Sequence, residues 1–305
     1  MKLSVVSPIY KGEKYLVELV ERIESTILKI TDDYEIILVD DASPDKSWQI
    51  LKENFSTKKN IKGIKLSRNF GQHNAITAGL DHVSGDYVVV IDCDLQDTPE
   101  EIENLYHEII KGFDIVYARR SIRNDNFFQR MFSFIFYRVL AYLTGFNHDE
   151  KIANFGIYRK NVIASVVIMR ESIRFLPTML HWVGFNSTQL DVVHNSREDS
   201  SSYNFKKRLN LALDVILCYS EKPLRLIVKL GLLISVASLF VTIFYFIKWI
   251  NGNIVVIGYS SLIISIWFLS GVIILILGIL GLYLGKVFRD VQNRPIYIVK
   301  ETLND

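Results

Sequence analysis

Several features that are typical of secreted, nucleic-acid-binding and nucleotide-binding proteins are scarce or missing in this sequence. Its 305 residues include only two cysteines, Cys93 and Cys218, which form no disulfide framework and fit a reducing compartment. The net charge of +2 is too balanced to indicate nucleic-acid binding. We expect no signal peptide, because Pro8 and Lys11 interrupt the first apolar run. The absence of a Walker loop, and of a Gly-x-Gly-x-x-Gly fingerprint after the first predicted strand, argues against P-loop and dinucleotide-binding proteins.

The first 120 residues instead contain a regular alternation of apolar strands and helical stretches. This alternation predicts an α/β fold with a mostly parallel sheet that carries helices on both faces. The predicted strands are residues 2–9, 35–39, 61–66, 86–91 and 114–118, and the predicted helices are residues 13–29, 46–55, 72–83 and 99–111.

The fourth predicted strand ends at two carboxylates one residue apart, Asp92 and Asp94, with Asp97 close behind. The carboxyl ends of parallel strands form the ligand-binding edge of open sheets. Three acids in one turn repel one another unless a cation lies among them, which favours a divalent metal that holds phosphates. A lone Asp-x-Asp pattern is more often a polar turn after a strand, so the neighbouring sequence decides. The following helix has a predicted capping box, formed by Thr98, Pro99 and Glu101.

Two further predicted strands also end in charged residues. Asp40 and Asp41 follow the second strand, and Arg119 and Arg120 follow the fifth. Carboxylates, a hard metal ion and arginines at one edge of a sheet together suit a diphosphate ligand.

The apolar residues are concentrated after residue 223. Residues 230–247 and 261–285 contain no charge and are long enough to span a bilayer. The alternative is a buried helical hairpin of a soluble protein. Because the outer flanks are basic, the positive-inside rule places both termini and the N-terminal domain in the cytoplasm. The basic flanking residues are Lys222, Arg225, Lys229, Lys286, Arg289 and Arg294.

Two other stretches have helical spacing. Residues 126–144 are rich in aromatic residues, and they form either a helix packed on the sheet or a helix at a membrane surface. Residues 206–220 have an apolar stripe and a basic start, which predicts an interfacial helix. A domain tethered in this way suggests a lipid as second substrate. The predicted segments are a cytoplasmic domain (1–205), an interfacial helix (206–222), a two-helix membrane anchor (223–285) and a tail with a short strand (286–305).

Five short motifs and the two apolar stretches, in this order, carry a resemblance to a known family. The motifs are VSPIY at 6–10, VDDAS at 39–43, LSRNFG at 66–71, DCDLQ at 92–96 and RPIYIV at 294–299. Together they resemble the membrane-anchored family 2 (GT-A) glycosyltransferases that make polyprenyl-phosphate sugars, the dolichol-phosphate mannosyltransferase and bactoprenol glucosyltransferase group. The resemblance covers essentially the whole chain.

The resemblance implies a GT-A fold, which is Rossmann-like with a mostly parallel sheet. It implies an inverting transfer from a UDP- or GDP-linked sugar to a polyprenyl phosphate at the bacterial inner membrane, and no nucleic-acid partner. A homo-oligomer formed through the C-terminal strand is a further expectation. Mg²⁺ or Mn²⁺ would be held by Asp92, Asp94 and Gln96. Arg120 and Asn154 would join Asp92 and Asp94 in catalysis.

The resemblance also implies two binding regions. The nucleotide sugar would be bound by Pro8, Tyr10, Glu13, Asp40, Asp41, Asn69 and Arg119. The lipid phosphate would be bound by Arg130, Arg197, Ser201 and Tyr203.

Two departures from the family pattern affect the choice of sugar and acceptor. The family often has Gly-Asp-Phe-Arg at residues 153–156, where this chain has ANFG, so that Asn154 occupies the position of a candidate base. The segment 197–203 lacks the usual Gly and Lys before Tyr203. The Asp-x-Asp turn also leaves open a metal-dependent phosphohydrolase with an aspartate nucleophile. Asn154 leaves open a non-catalytic, membrane-anchored nucleotide-binding protein.

Overall fold

The computed structural model describes residues 1–120, 152–171, 174–193, 220, 222–251 and 258–304. These residues belong to two units. The first unit contains the sheet, its helices and the C-terminal residues 294–304, and the second contains two long helices.

A mixed sheet of eight strands forms the centre of the described part of the first unit. The strands are β1 Leu3–Ile9, β2 Tyr34–Asp40, β3 Ile61–Leu66, β4 Tyr87–Val90, β5 Ile115–Arg120, β6 Ile152–Arg159, β7 Ser187–Val192 and β8 Val299–Leu303. Their order is β7-β5-β6-β4-β1-β2-β3-β8. β1 pairs in parallel with β4 and β2, and β2 pairs in parallel with β3. β5 and β7 are also parallel. β6 is antiparallel to β4 and β5, and β8 is antiparallel to β3.

Helices cover the sheet and explain why its central strands are almost entirely apolar. The helices of this unit are α1 Leu16–Ile27, α2 Ser47–Phe55, α3 Gln72–Leu80, α4 Glu101–Ile109, α5 Lys160–Ile168 and α6 Leu176–Trp182. β1 is buried along its whole length, as expected for a parallel strand with both faces covered. Gly79 lets α3 pack closely on β1, because a Cβ there would lie 2.3 Å from Val6 Cγ1.

All five strands predicted from the sequence are present, and the predicted α/β fold with a mostly parallel sheet is confirmed. The sequence did not predict β6 and β7. The C-terminal tail pairs through β8 with β3 of the same chain, a partner that the sequence did not indicate. The homo-oligomer stays a prediction.

The predicted capping box before α4 is wrong. The helix begins at Glu101, and its N-cap residue Glu100 makes no side-chain capping bond. Thr98 Oγ1 instead donates to the carbonyl oxygen of Val193 at 3.3 Å, and the Glu101 carboxylate accepts from the Val193 N–H at 3.3 Å. Thr98 and Glu101 therefore bind the backbone just after β7 and do not cap their own helix. A local sequence motif does not reveal such a long-range contact.

Helices α7 (Lys222–Ile250) and α8 (Tyr259–Val291) form the described part of the second unit. Their apolar windows, Lys222–Val241 and Ser265–Val291, are long and apolar enough to cross a membrane. Within the part of the chain that the structure describes, neither window is buried, which fits lipid contact better than a buried soluble hairpin. Residues 126–144, and residues 206–219 of the interfacial helix predicted over 206–220, lie outside the described residues.

A buried acid fixes the edge of the sheet opposite to the Asp-x-Asp turn. Glu35 Oε1 accepts hydrogen bonds from Ser4 Oγ at 2.6 Å and from the Ser84 N–H and Oγ at 2.6 and 2.8 Å. Its other oxygen lies 3.2 Å from Lys2 Nζ and 3.3 Å from Lys62 Nζ. Burial alone would raise the pKa of Glu35, but the bonds from Ser4, Ser84 and Lys2 outweigh it and lower the pKa from 4.5 to about 2.

Candidate active site

The loops that follow three of the parallel strands each contain a non-glycine residue with a positive φ. These residues are Lys11 after β1 (58°), Ala42 after β2 (51°) and Leu95 after β4 (57°). Such conformations are uncommon for residues with a Cβ and persist only where the surrounding structure enforces them. They cluster at the carboxyl edge of the sheet, where ligands bind in open α/β folds.

The Asp-x-Asp turn lies at this edge, directly after β4. Asp92 and Asp94 are partly exposed, whereas Asp97 is only 1 % exposed. Asp94 Oδ1 accepts the Gln96 N–H at 3.2 Å, which folds the turn back on itself. Burial raises the pKa of the intervening Cys93 to about 11, with the charges of Asp92 and Asp94 adding to the shift, so this thiol stays protonated.

The donor set of this turn fits a hard divalent cation. Two carboxylates and the amide oxygen of Gln96 are the ligand types that Mg²⁺ and Mn²⁺ prefer. Among the described residues no group of three or more His, Cys, Asp and Glu side chains forms a ready metal cage. A cation at this turn would therefore complete its coordination with oxygens from elsewhere, such as phosphate oxygens.

Asp40 is fully buried and connects two of the strand-end loops. Its Oδ1 accepts the Ser43 N–H at 3.1 Å, and Ser43 Oγ accepts the Lys11 N–H at 3.2 Å. The other carboxylate oxygen lies 4.0 Å from Lys65 Nζ. Burial raises the pKa of Asp40 despite these partners. In this conformation Asp40 organises the loops after β1 and β2 and is closed to solvent.

Asp41 is also buried, and both of its carboxylate oxygens bind backbone. Oδ1 accepts the Phe70 N–H at 2.7 Å, and Oδ2 accepts the Gly71 N–H at 2.9 Å. Burial raises the pKa of Asp41, although these two bonds oppose the shift. Asp41 thus holds the loop between β3 and α3, in which the predicted nucleotide-binding residue Asn69 is exposed.

Three more of the predicted nucleotide-binding residues lie in β1 or in the loop that follows it. Pro8 is buried within β1, and Tyr10 just beyond it is 47 % exposed. Glu13 accepts the Lys46 N–H at 3.0 Å through its carboxylate, which joins the β1 loop to the start of α2. Of these three side chains, the Tyr10 ring is the one that lies open for stacking against a base.

The structure describes the side chain of Arg119 but only the backbone of Arg120. Arg119 makes a bidentate pair with Asp191 on β7, with Nε–Oδ1 at 2.6 Å and Nη2–Oδ2 at 2.9 Å. A phosphate contact by Arg119 would therefore compete with Asp191, a partner that the sequence did not reveal. Arg120 is the last residue of β5, and its side chain lies outside the description.

Asn154 lies on β6, which the sheet inserts between β4 and β5. The ladder between β4 and β6 ends at Val90 and Gly156, and the register of β6 with β5 shifts between Gly156 and Ile152. Asn154 therefore lies in an irregular stretch of β6, just beyond the last pair with β4. Tyr158 Oη donates to the Asn154 carbonyl oxygen at 3.3 Å. A Cβ at Gly156 would lie 2.7 Å from that same Oη, so the buried tyrosine occupies the space that a side chain at Gly156 would need. The predicted acceptor residues Arg130, Arg197, Ser201 and Tyr203 lie outside the described residues.

Gln72 belongs to the site but was not predicted from the sequence. It is the first residue of α3, and its Nε2 donates to Asp92 Oδ1 at 2.7 Å. Its sequence position could have indicated this role, because Gln72 is the first helical residue after Gly71 at the carboxyl edge of the sheet.

Comparisons with known proteins give the family of this chain. Residues 4–167 match the sequence model described as Glycosyl transferase family 2. The chain belongs to this family and is a glycosyltransferase, which confirms the family predicted from the sequence and does not support the phosphohydrolase alternative.

Two curated relatives match along nearly their whole length. The "Uncharacterized glycosyltransferase YkcC" of Bacillus subtilis is 34% identical over 305 residues, covering 99% of this chain and 94% of the relative. The "Undecaprenyl-phosphate 4-deoxy-4-formamido-L-arabinose transferase" of Photorhabdus laumondii is 34% identical over 308 residues, covering 100% and 95%. A solved structure of glucosyl-3-phosphoglycerate synthase from Mycobacterium tuberculosis, in complex with Mn²⁺, UDP and phosphoglyceric acid, is 16% identical, with a TM-score of 0.49 and coverage of 71% and 76%.

Proposed function

We propose that this chain transfers a sugar from a nucleotide-diphosphate sugar to a polyprenyl phosphate at the cytoplasmic face of a membrane. One observation carries the proposal: the similarity to an undecaprenyl-phosphate sugar transferase extends over the whole chain, including α7 and α8. These helices keep the enzyme at the bilayer where a polyprenyl phosphate resides. Holding the lipid phosphate next to the donor site lowers the entropic part of the barrier.

Asp92, Asp94 and Gln96 would hold Mg²⁺ or Mn²⁺ against the donor diphosphate. A bound cation would supply electrostatic stabilisation of the negative charge that develops on the departing nucleoside diphosphate. The exposed ring of Tyr10 would stack on the base, and Arg120 would contact a phosphate. Asp40 and Asp41 support this pocket indirectly, since they fix the loops that surround it.

The reaction proposed is a single displacement at the anomeric carbon. An oxygen of the lipid phosphate attacks, the bond to the nucleoside diphosphate breaks, and the configuration inverts. A phosphomonoester has a second pKa of about 6, so most of the acceptor is already a dianion near neutral pH. The nucleophile therefore has no proton to lose, and Asn154 in place of an aspartate is compatible with activity.

This role of Asn154 predicts the outcome of Asn154→Asp. We expect the variant to be no faster than the parent, and roughly fivefold slower, because repulsion between an added carboxylate and the incoming phosphate costs on the order of 1 kcal/mol in a solvated site. Transfer at subsaturating acceptor should rise with pH through the acceptor's pKa and then level off in both proteins. A large gain of activity in Asn154→Asp would show that the chain lacks a needed base and would support the non-catalytic alternative.

The basic flanks of the apolar helices predict the orientation in the membrane. Both termini and the sheet unit would be cytoplasmic, and the connector between α7 and α8 would lie outside. A cysteine at Asn253 should react with an impermeant thiol reagent in intact cells, and one at Asn60 should react only after lysis. The parent chain, with Cys93 and Cys218, gives the background. The opposite labelling would separate the site from cytoplasmic sugar nucleotides and contradict the proposal.

The donor and acceptor are tested together by a screen. Purified full-length protein is incubated with polyprenyl phosphate, Mn²⁺ and a panel of UDP- and GDP-linked sugars, and lipid-soluble sugar is measured. We expect one or a few donors to give a glycolipid that forms only when both polyprenyl phosphate and the metal are present. Release of nucleotide without a lipid product from every donor would contradict the polyprenyl acceptor.

A further inference from the structure

Asp92 is held by a residue from a different loop. Gln72, at the start of α3 after β3, donates its side-chain N–H to Asp92 Oδ1 at 2.7 Å. The contact joins two segments that are 20 residues apart in sequence. The acceptor, Asp92, is the first carboxylate of the Asp-x-Asp turn.

The position of Gln72 is fixed by the backbone before it. Asp41 accepts the N–H groups of Phe70 and Gly71, and Gly71 adopts a φ of 96°, which residues with a Cβ rarely reach. The carbonyl oxygen of Gly71 then accepts the N–H groups of Asn74 and Ala75, which starts α3. The buried acid after β2 thereby fixes where the first helical side chain points.

The far end of α3 and the start of its loop are held by the C-terminal tail. The Ser67 N–H donates to the Ile298 carbonyl oxygen at 2.9 Å. Tyr297 Oη donates to Asp81 Oδ2 at 2.6 Å, and Arg170 binds both oxygens of Asp81 at 2.9 Å. The backbone of the segment that carries Gln72 is thus restrained at both ends, which fixes the point from which its exposed side chain reaches Asp92.

We propose that Gln72 is a positioning residue of the metal site, acting through Asp92. This inference rests on the metal of the proposed function. A carboxylate rotates easily about its terminal torsion, so the Gln72 donor on Asp92 Oδ1 restricts the orientation in which the group is presented. Gln72 carries no charge and therefore does not compete with a cation electrostatically. Partners of metal ligands commonly contribute about 10- to 100-fold to metal affinity or activity.

Gln72→Met tests this role, since methionine keeps the length of the side chain and removes the donor. Gln49→Met is the matched control, because Gln49 Nε2 also donates to a carboxylate, Glu53 Oε1, at 2.7 Å on the exposed face of α2. Mn²⁺ binding to full-length protein in nanodiscs is measured by electron paramagnetic resonance, with Mn²⁺ alone and with UDP or GDP added. We expect the dissociation constant to rise about 10- to 100-fold in Gln72→Met and to stay unchanged in Gln49→Met.

Kinetics separate positioning from general damage. For Gln72→Met the Mn²⁺ concentration for half-maximal transfer should rise by the same factor, while kcat at saturating Mn²⁺ recovers to near the parent value and the Tm stays the same. Unchanged Mn²⁺ affinity in Gln72→Met would overturn the inference alone. Absence of Mn²⁺ binding by the parent protein in every arm would overturn both the inference and the metal of the proposed function.

Discussion

Asp94→Asn should lower sugar transfer by more than about 100-fold while the protein still folds and inserts, the size of effect expected when one electrostatic catalytic group is removed. Asparagine retains an oxygen that can accept the Gln96 N–H, so the turn keeps its hydrogen bond. What the variant loses is the negative charge and one hard oxygen ligand for the cation. Transfer is measured with saturating donor and acceptor across a range of Mn²⁺ concentrations.

The controls for this variant address the metal and the charge separately. Asp32→Asn removes an exposed carboxylate in the turn before β2 and should leave transfer unchanged. EDTA should abolish transfer by the parent protein, and added Mn²⁺ or Mg²⁺ should restore it. Full activity of Asp94→Asn, or of the parent protein in EDTA, would refute the assignment of this turn as a metal site.

Glu35→Gln should lower the stability of the sheet unit by on the order of 3 kcal/mol at neutral pH, which corresponds to a pKa lowered from 4.5 to about 2. The amide accepts fewer of the bonds from Ser4 and Ser84 and does not balance the charges of Lys2 and Lys62. For a unit of this size the expected fall in Tm is about 6 to 12 °C, measured by thermal unfolding of the full-length protein in detergent.

The pH dependence of this loss has a defined sign. Because the pKa of Glu35 is lower in the folded state, its carboxylate stabilises the fold above pH 4.5, and this contribution disappears as the pH falls towards 2. The parent and Glu35→Gln should therefore converge in stability as the pH approaches 2. Glu21→Gln, on the exposed face of α1, should match the parent at every pH. A constant difference between parent and Glu35→Gln across this range would contradict the role of the ionised group.

The first five strands could be predicted because each is a run of apolar residues between helical stretches. β6 and β7 could not be predicted, since their signal is weaker and their placement depends on distant partners. The residues of β7 alternate between exposed and partly buried positions, so the strand has no continuous apolar run. β6 lies between β4 and β5 and is antiparallel to both. Such pairing is fixed by the register with strands far away in sequence, which no local pattern contains.

In the candidate site, features set by nearby residues could be predicted, and contacts with residues distant in sequence could not. The Asp-x-Asp turn was found because a strand end and a cluster of acids are local features. The burial of Asp41 was not predictable, since an acid after a strand looks the same whether it faces a ligand or the N–H groups of a distant loop. The pairing of Arg119 with Asp191 likewise requires β7 to lie beside β5.

A doubly labelled donor distinguishes sugar transfer from its alternatives. The donor found in the screen is prepared with ¹⁴C in the sugar and ³²P in the phosphate next to it, and is incubated with the full-length protein, polyprenyl phosphate and Mn²⁺. We expect ¹⁴C to enter the lipid fraction and ³²P to remain with the water-soluble nucleoside diphosphate. Entry of ³²P into the lipid together with ¹⁴C would mean that a phosphosugar is transferred, and absence of both labels from the lipid would mean that no transfer to a polyprenyl phosphate occurs.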